Sequence, residues 1–162
     1  MKRRVVNLLA GCALAFFSAG TALALDAFEP DSLTKIAATE KNQPFVLFVW
    51  SLDCEYCQAS LDLLAQQQRL HKNLKILTLA TDRLDDPEAS VAVQKKLKAA
   101  GIAANAWAFG PASPARLRYA IDPAWRGETP RSYWFNRHGE RIAYSGALTP
   151  AIFSEMLTRI MR

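Results

Sequence analysis

The hydrophobic pattern divides the chain into runs of two kinds. Phe45-Val46-Leu47-Phe48-Val49-Trp50 is apolar at every position, which predicts a strand covered on both faces. Residues 74–80 are similarly apolar and predict a second strand. Between them, Cys57, Leu61, Leu64 and Ala65 recur at helical spacing and predict an amphipathic helix running from Cys54 towards His71, with Asn73 as its stop. After an acidic turn over 82–86, Pro87 suits a first helical position, Val91, Leu97 and Ala100 follow, and Gly101 ends that helix. This strand-helix-strand-helix order makes the two strands parallel.

The flanks extend the pattern. Asp31 or Ser32 caps a short helix through Leu33, Ile36 and Ala37, followed by a polar turn over 41–44. Residues 102–109 predict a short strand, 111–114 a loop and 115–121 a brief helix. Two β-rich runs, Tyr133-Trp134-Phe135 and Ile142-Ala143-Tyr144, enclose a turn at His138-Gly139 and predict an antiparallel hairpin. Thr149 or Pro150 opens a last helix with Ile152, Phe153, Met156, Leu157 and Ile160 on its apolar side. The expectation is an α/β fold with a central mixed sheet flanked by helices.

The first 24 residues differ in kind. Lys2, Arg3 and Arg4 precede an apolar stretch, and Ala22-Leu23-Ala24 offers a small-x-small cleavage site, so 1–24 reads as a secretory signal peptide. Two other readings stay open. Leu9-Ala10-Gly11-Cys12 resembles a lipobox, which would put a lipid on Cys12, and an uncleaved segment would anchor the chain, although Gly11, Ser18 and Gly20 interrupt a span barely long enough. Residues 25–162 then form one exported domain with room for a core, expected to be monomeric. The formal charge of +5 includes the three basic residues of the signal, so it argues for no nucleic-acid partner.

Without the signal, Cys54 and Cys57 are the only cysteines. If the helix begins at Cys54, the unpaired first-turn N–H groups and the dipole favour a thiolate there. Cys57, at i+3, lies on the same face and can attack a mixed disulfide on Cys54. That casts Cys54 as the attacking sulfur and Cys57 as the resolving one. A structural disulfide is the bland alternative, but so short a loop constrains the unfolded chain little. A zinc half-site is another, with only His71 and His138 to complete it at no metal-site spacing.

A strand ending in this dithiol, the following βα pair, then Glu128-Thr129-Pro130 leading into a hairpin and a final helix, resembles the thioredoxin superfamily over roughly Phe28 to Arg162. The signal peptide, the Trp50-Ser51 approach and the helical insert over 87–100 resemble its exported TlpA/ResA-like branch. The resemblance implies a thioredoxin-like fold, a redox-active Cys54–Cys57 disulfide with no further cofactor and no metal, and a cis Pro130 facing the dithiol. A proline there lacks an N–H, so the Thr129 backbone is left to pair with an extended substrate. Tyr56, between the cysteines, and Trp125, before the Pro130 loop, are candidates for receiving substrate side chains. Trp50 and Trp134 read as core, and Arg126 and Arg131 as solvated cations.

Two departures from that pattern bear on mechanism. The position before the first cysteine, usually aromatic in such proteins, is Asp53, and the position six before it, often a buried acid, is Phe48. Proton transfer from Cys57 therefore needs another acid, for which Glu55 and Asp82 are the candidates. Asp53 and Glu55 also place negative charge beside Cys54, opposing its thiolate and shifting the pair towards the reducing side. The expected function is a periplasmic thiol-disulfide oxidoreductase that reduces protein disulfides with electrons from a membrane donor. A copper-binding metallochaperone-like module using the reduced pair is the alternative, and an interaction domain with an idle dithiol is a third.

Overall fold

The computed structural model of the chain describes residues 25–102 and 105–162; the expected signal peptide over 1–24, with Cys12, lies outside the described residues. Six strands and five helices follow in the order β1 (Leu25–Phe28), α1 (Ser32–Thr39), β2 (Phe45–Trp50), α2 (Cys57–Leu70), β3 (Lys75–Arg83), α3 (Pro87–Ala100), β4 (Ala106–Phe109), α4 (Pro114–Ile121), β5 (Arg131–Phe135), β6 (Arg141–Ser145) and α5 (Pro150–Ile160). The strands form one sheet in the order β1-β4-β3-β2-β5-β6, with β1 to β4 mutually parallel and β5 and β6 antiparallel.

Strand β2 sits centrally, between β3 and β5, and all six of its residues are buried. Its two faces feed different cores because side chains alternate along a strand. Val46, Phe48 and Trp50 pack with Leu61 and Leu64 of α2, Val93 and Leu97 of α3, and Phe153 and Ile160 of α5. Phe45, Leu47 and Val49 face the other way, with Ile36 of α1, Leu117 and Ile121 of α4, and Tyr133. The helices therefore form layers of three and two around the sheet, and the apolar faces predicted for α2 and α5 are the faces that pack; on α3 Val93 and Leu97 face the core, whereas Val91, expected on that face, is 66% exposed.

Helix ends follow local chemistry. The Asp86 carboxylate accepts from the N–H groups of Glu88 and Ala89, Pro87 stands at N1, and Gly101 closes α3 in the left-handed region at φ 78°. The Thr149 hydroxyl caps α5 and the Ser113 hydroxyl caps α4. Strand β3 runs three residues beyond the expected stretch, through a register shift between Ala80 and Arg83. Asp82, expected in a turn, consequently lies in this irregular strand end. Strand β1 was not expected at all, since only Phe28 of its four residues is buried.

The loop between α4 and β5 is pinned by a charged network. Arg131 donates through Nη2 to Asp122 at 3.1 Å and through Nη1 to Glu128 at 3.3 Å and to the Ser145 hydroxyl. Arg141 donates to the Ile121 carbonyl at 2.7 Å and lies 3.7 Å from the Asp122 carboxylate. The two guanidinium groups each stand 5.1 Å from the centre of the buried Tyr133 ring. Burial pushes the Tyr133 phenol up to about 12. Arg131 is thus no solvated cation: its side chain is only 14% exposed, because three acceptors from three segments converge on it.

Burial works against the Asp122 carboxylate, but the Ala124 N–H, Arg131 and Arg141 outweigh it and hold its pKa below the usual carboxylate value. A group lowered in this way stabilises the fold above the ordinary carboxylate range and loses that contribution as pH falls through the lowered value. Asp122→Ala is expected to cost about 2–4 kcal/mol at pH 7, because it strands a largely buried Arg131, and the deficit should shrink towards pH ~2.5. Urea unfolding of variant and wild type at the two pH values checks both the size and the sign.

Candidate functional site

The end of β2 delivers the dithiol. Past Trp50 the chain makes two successive turns, with the Cys54 N–H donating to the Ser51 carbonyl at 3.3 Å and the Cys57 N–H to the Cys54 carbonyl at 3.2 Å. Regular helix starts only at Cys57, with Tyr56 as N-cap. This corrects the expected start at Cys54: the first cysteine sits in the turn ahead of the helix, so the dipole reaches it from beyond its own peptide group and acts more weakly.

Cys54 and Cys57 are joined in a disulfide, their Cα atoms 5.3 Å apart. Their settings differ. Cys57 is 1% exposed and belongs to the core beneath α2, whereas Cys54 is half-buried at the surface. The approach to this pair is held from two sides. The Ser51 hydroxyl lies 3.3 Å from that of Thr129, tying the turn to the loop before β5, and the Leu52 N–H donates to the Asp82 carboxylate at 3.0 Å. Lys96, from α3, donates to the Leu52 carbonyl at 3.2 Å.

The sequence-predicted residues fall into two groups. Cys54, Cys57, Asp53, Glu55 and Tyr56 share the turn, with Asp53, Glu55 and Tyr56 exposed, the tyrosine by 65%. Thr129 joins them through Ser51, and the Thr129–Pro130 peptide bond is cis. Among the described residues, no backbone group bonds to the Thr129 N–H or carbonyl, while the Pro130 carbonyl accepts from Gly146 at 2.9 Å.

Trp125 is placed otherwise. It is 5% exposed, packs in the core with α4 and β5, and uses its indole N–H to hold the Glu128 carbonyl at 2.9 Å. It shapes the loop that carries Thr129 and does not present a surface to a substrate.

The contacts of three residues of the site escaped sequence reasoning. Ser51 and Lys96 carry no local signal, since their partners are 78 and 44 residues away. Ser60 is fully buried; its hydroxyl donates to the Tyr56 carbonyl at 3.3 Å and accepts from the Leu148 N–H at 3.0 Å, joining the start of α2 to the segment before α5. A small polar residue on an otherwise apolar helix face was its only trace in the sequence. Phe48 occupies the core position where a buried acid would have stood, so Asp82 is the carboxylate drawn under the turn. Desolvation raises its pKa, and the Leu52 N–H only partly offsets this.

Other features lie elsewhere. A cavity of about 610 Å³ is lined by Pro44, Gln68, Lys72 and Lys75, near the starts of β2 and β3, whereas the dithiol follows the far end of β2. Among the described residues, no group of three or more His, Cys, Asp or Glu side chains stands ready for a metal, and no helix is long and apolar enough to cross a membrane.

No protein-family model and no curated protein matches the chain. Solved structures do resemble it. A thioredoxin family thiol:disulfide interchange protein from Chlorobium tepidum is 17% identical, with a TM-score of 0.62 over 78% of this chain and 85% of that one. A secreted Mycobacterium tuberculosis disulfide oxidoreductase homologous to E. coli DsbE is 16% identical, with a TM-score of 0.58 over 75% and 85%. A DsbF homologue from Corynebacterium diphtheriae is 16% identical, with a TM-score of 0.58 over 76% and 75%. The mixed sheet, its two helical layers and these likenesses agree: the chain has the thioredoxin-like fold, with a cysteine pair at the end of its central strand, and is similar in structure to thiol:disulfide oxidoreductases.

Proposed function

We propose that the protein is a periplasmic thiol-disulfide oxidoreductase that reduces disulfides in substrate proteins. The observation that carries this reading is the asymmetry of the pair, a core-buried Cys57 behind a surface Cys54. Only one sulfur is within reach of a protein substrate, and the other is placed to attack it from behind.

The chemistry then runs in two exchanges. The Cys54 thiolate attacks one sulfur of a substrate disulfide; the Cys54–substrate bond forms, the substrate S–S bond breaks, and the departing sulfur takes up a proton. Cys57 loses its proton and attacks the Cys54 sulfur, the mixed bond breaks, and the second substrate thiol leaves protonated. Two electrons and two protons pass to the substrate, and the protein ends in the disulfide form that the structure holds. A dithiol donor in the membrane recharges it.

Thr129 supports the same reading. Its free backbone groups, beside Ser51 and so beside the turn, suit an extended substrate segment docking as an added strand. Exposed Tyr56 offers that segment an apolar face. The reducing direction rests on charge. Asp53, Glu55 and Asp82 gather around the turn and disfavour a Cys54 thiolate, and strong oxidants need that thiolate stabilised.

Two experiments test these claims. Cys57→Ser should accumulate mixed disulfides between Cys54 and exported proteins, identifiable by mass spectrometry, and Cys54→Ser should form none; equal trapping by both variants would refute the assignment of roles. Equilibration with glutathione should give a reduction potential below about −200 mV, and a value near the −120 mV or so of DsbA would overturn the reductase direction.

A further inference from the structure

We propose that Asp82 and Lys96 clamp the Leu52 backbone, one through its N–H and the other through its carbonyl, and, with opposite signs, set the acidity of Cys54 two residues on. The proposal deepens the thiol-disulfide reading above and rests on it for its biological meaning, but not for its test.

The geometry is specific. The backbone of one residue offers one donor and one acceptor, in the two peptide groups that flank its Cα, and both are taken at Leu52 by ionisable side chains from other elements: the N–H by the Asp82 carboxylate at 3.0 Å and the carbonyl by the Lys96 ammonium at 3.2 Å. Strand β3 supplies the first and α3 the second, so the turn that holds Cys54 is braced against two elements that lie beyond α2 in the chain. No other carboxylate or ammonium in the turn is tied down in this way: Asp53 and Glu55 point their charge from exposed positions.

The charges facing Asp82 are Asp53 in the turn, which repels it, and Lys96 on α3, which attracts it. Arg83, the next residue in the strand, is engaged by Asp85 through two hydrogen bonds. When the disulfide is reduced, the Cys54 sulfur becomes a further titratable neighbour. An ionised Asp82 then opposes the thiolate, the Lys96 ammonium favours it, and the partial burial of both contacts keeps solvent from screening them fully. Coupling of this kind is reciprocal, so forming the thiolate must also raise the pKa of Asp82.

Phe48 explains why such a device is needed. With the strand position filled by an apolar ring, no acid lies beneath the dithiol on β2 itself, and the carboxylate comes from β3 because the register shift between Ala80 and Arg83 releases Asp82 from the regular ladder. Its carboxylate accepts from the Leu52 N–H and so joins the strand end to the turn.

The test uses the reduced full-length protein and the pH profile of its alkylation by iodoacetamide, with the label mapped to Cys54. Asp82→Asn keeps an oxygen acceptor for the Leu52 N–H and removes only the charge. It should lower the pH midpoint by roughly half a unit, which speeds alkylation about threefold on the acidic limb. Lys96→Met keeps the aliphatic stem and should move the midpoint the opposite way by a similar amount. A structural role alone would shift both variants in the same direction or neither, and either result overturns the proposal. Hydrogen exchange at the Leu52 amide adds a second readout: Asp82→Asn should retain protection and Asp82→Ala should lose it at least tenfold, and equal protection in both would overturn the clamp. Because no substrate protein is involved, a failure of the reductase reading leaves these profiles interpretable, and a failure here leaves the trapping experiment untouched.

Discussion

Everything at the site depends on the burial of β2 on both faces. Six consecutive apolar residues must be covered by two separate cores, and that requirement puts the strand in the middle of the sheet with helices above and below. Once the strand is fixed there, the residue after Trp50 emerges at the end of the sheet, and the chain has only a short turn in which to enter α2. The cysteines are placed by this constraint before any chemistry is considered. The first falls in the turn, half-buried, and the second on the inward face of the helix, inside the core. Their unequal exposure, from which the proposed division of labour follows, is a consequence of where the sheet ends and the helix begins.

The two loops beside the dithiol are held by different means. The one before β5 is bound through Arg131, which gathers Asp122, Glu128 and Ser145, and through the Trp125 indole on the Glu128 carbonyl. These contacts leave the Thr129 backbone free among the described residues while fixing its position. The turn of the cysteines is held by neutral and charged hydrogen bonds from Thr129, Asp82 and Lys96. Partly buried contacts of this kind orient a segment more than they stabilise the fold, because desolvation offsets much of the Coulomb attraction. Position, rather than stability, is what a thiol-exchange site requires of its surroundings.

The fold was readable from the sequence because its main elements are strongly patterned. The apolar run of β2, the helical spacing in α2, the Pro87 start and Gly101 stop of α3, and the β5–β6 hairpin each carry a local signal, and each formed as expected. Strand β1 did not, since a four-residue edge strand with one buried side chain has almost no pattern. The cysteines were evident from their spacing. The start of α2 was placed one turn early, because a turn and a first helical turn look alike in sequence. Arg131 reads as a solvated cation because its partners Asp122 and Ser145 meet it only once the loop and hairpin have folded, and Trp125 reads as a substrate contact because nothing in the sequence marks the bond of its indole to the nearby Glu128 carbonyl. Asp82 was noticed as an acid, but its contact with Leu52, and the role of Lys96, belong to the packing of β3 and α3 against the turn.

In the proposed cycle Cys54 is the sulfur that meets the substrate and Cys57 the one that releases it. Reacting the reduced protein with oxidised glutathione, quenching with acid at early times and mapping the adduct tests this most directly. A transient glutathione adduct is expected on Cys54 alone, decaying as the Cys54–Cys57 disulfide forms. An adduct on Cys57, or lasting adducts on both cysteines, would contradict it.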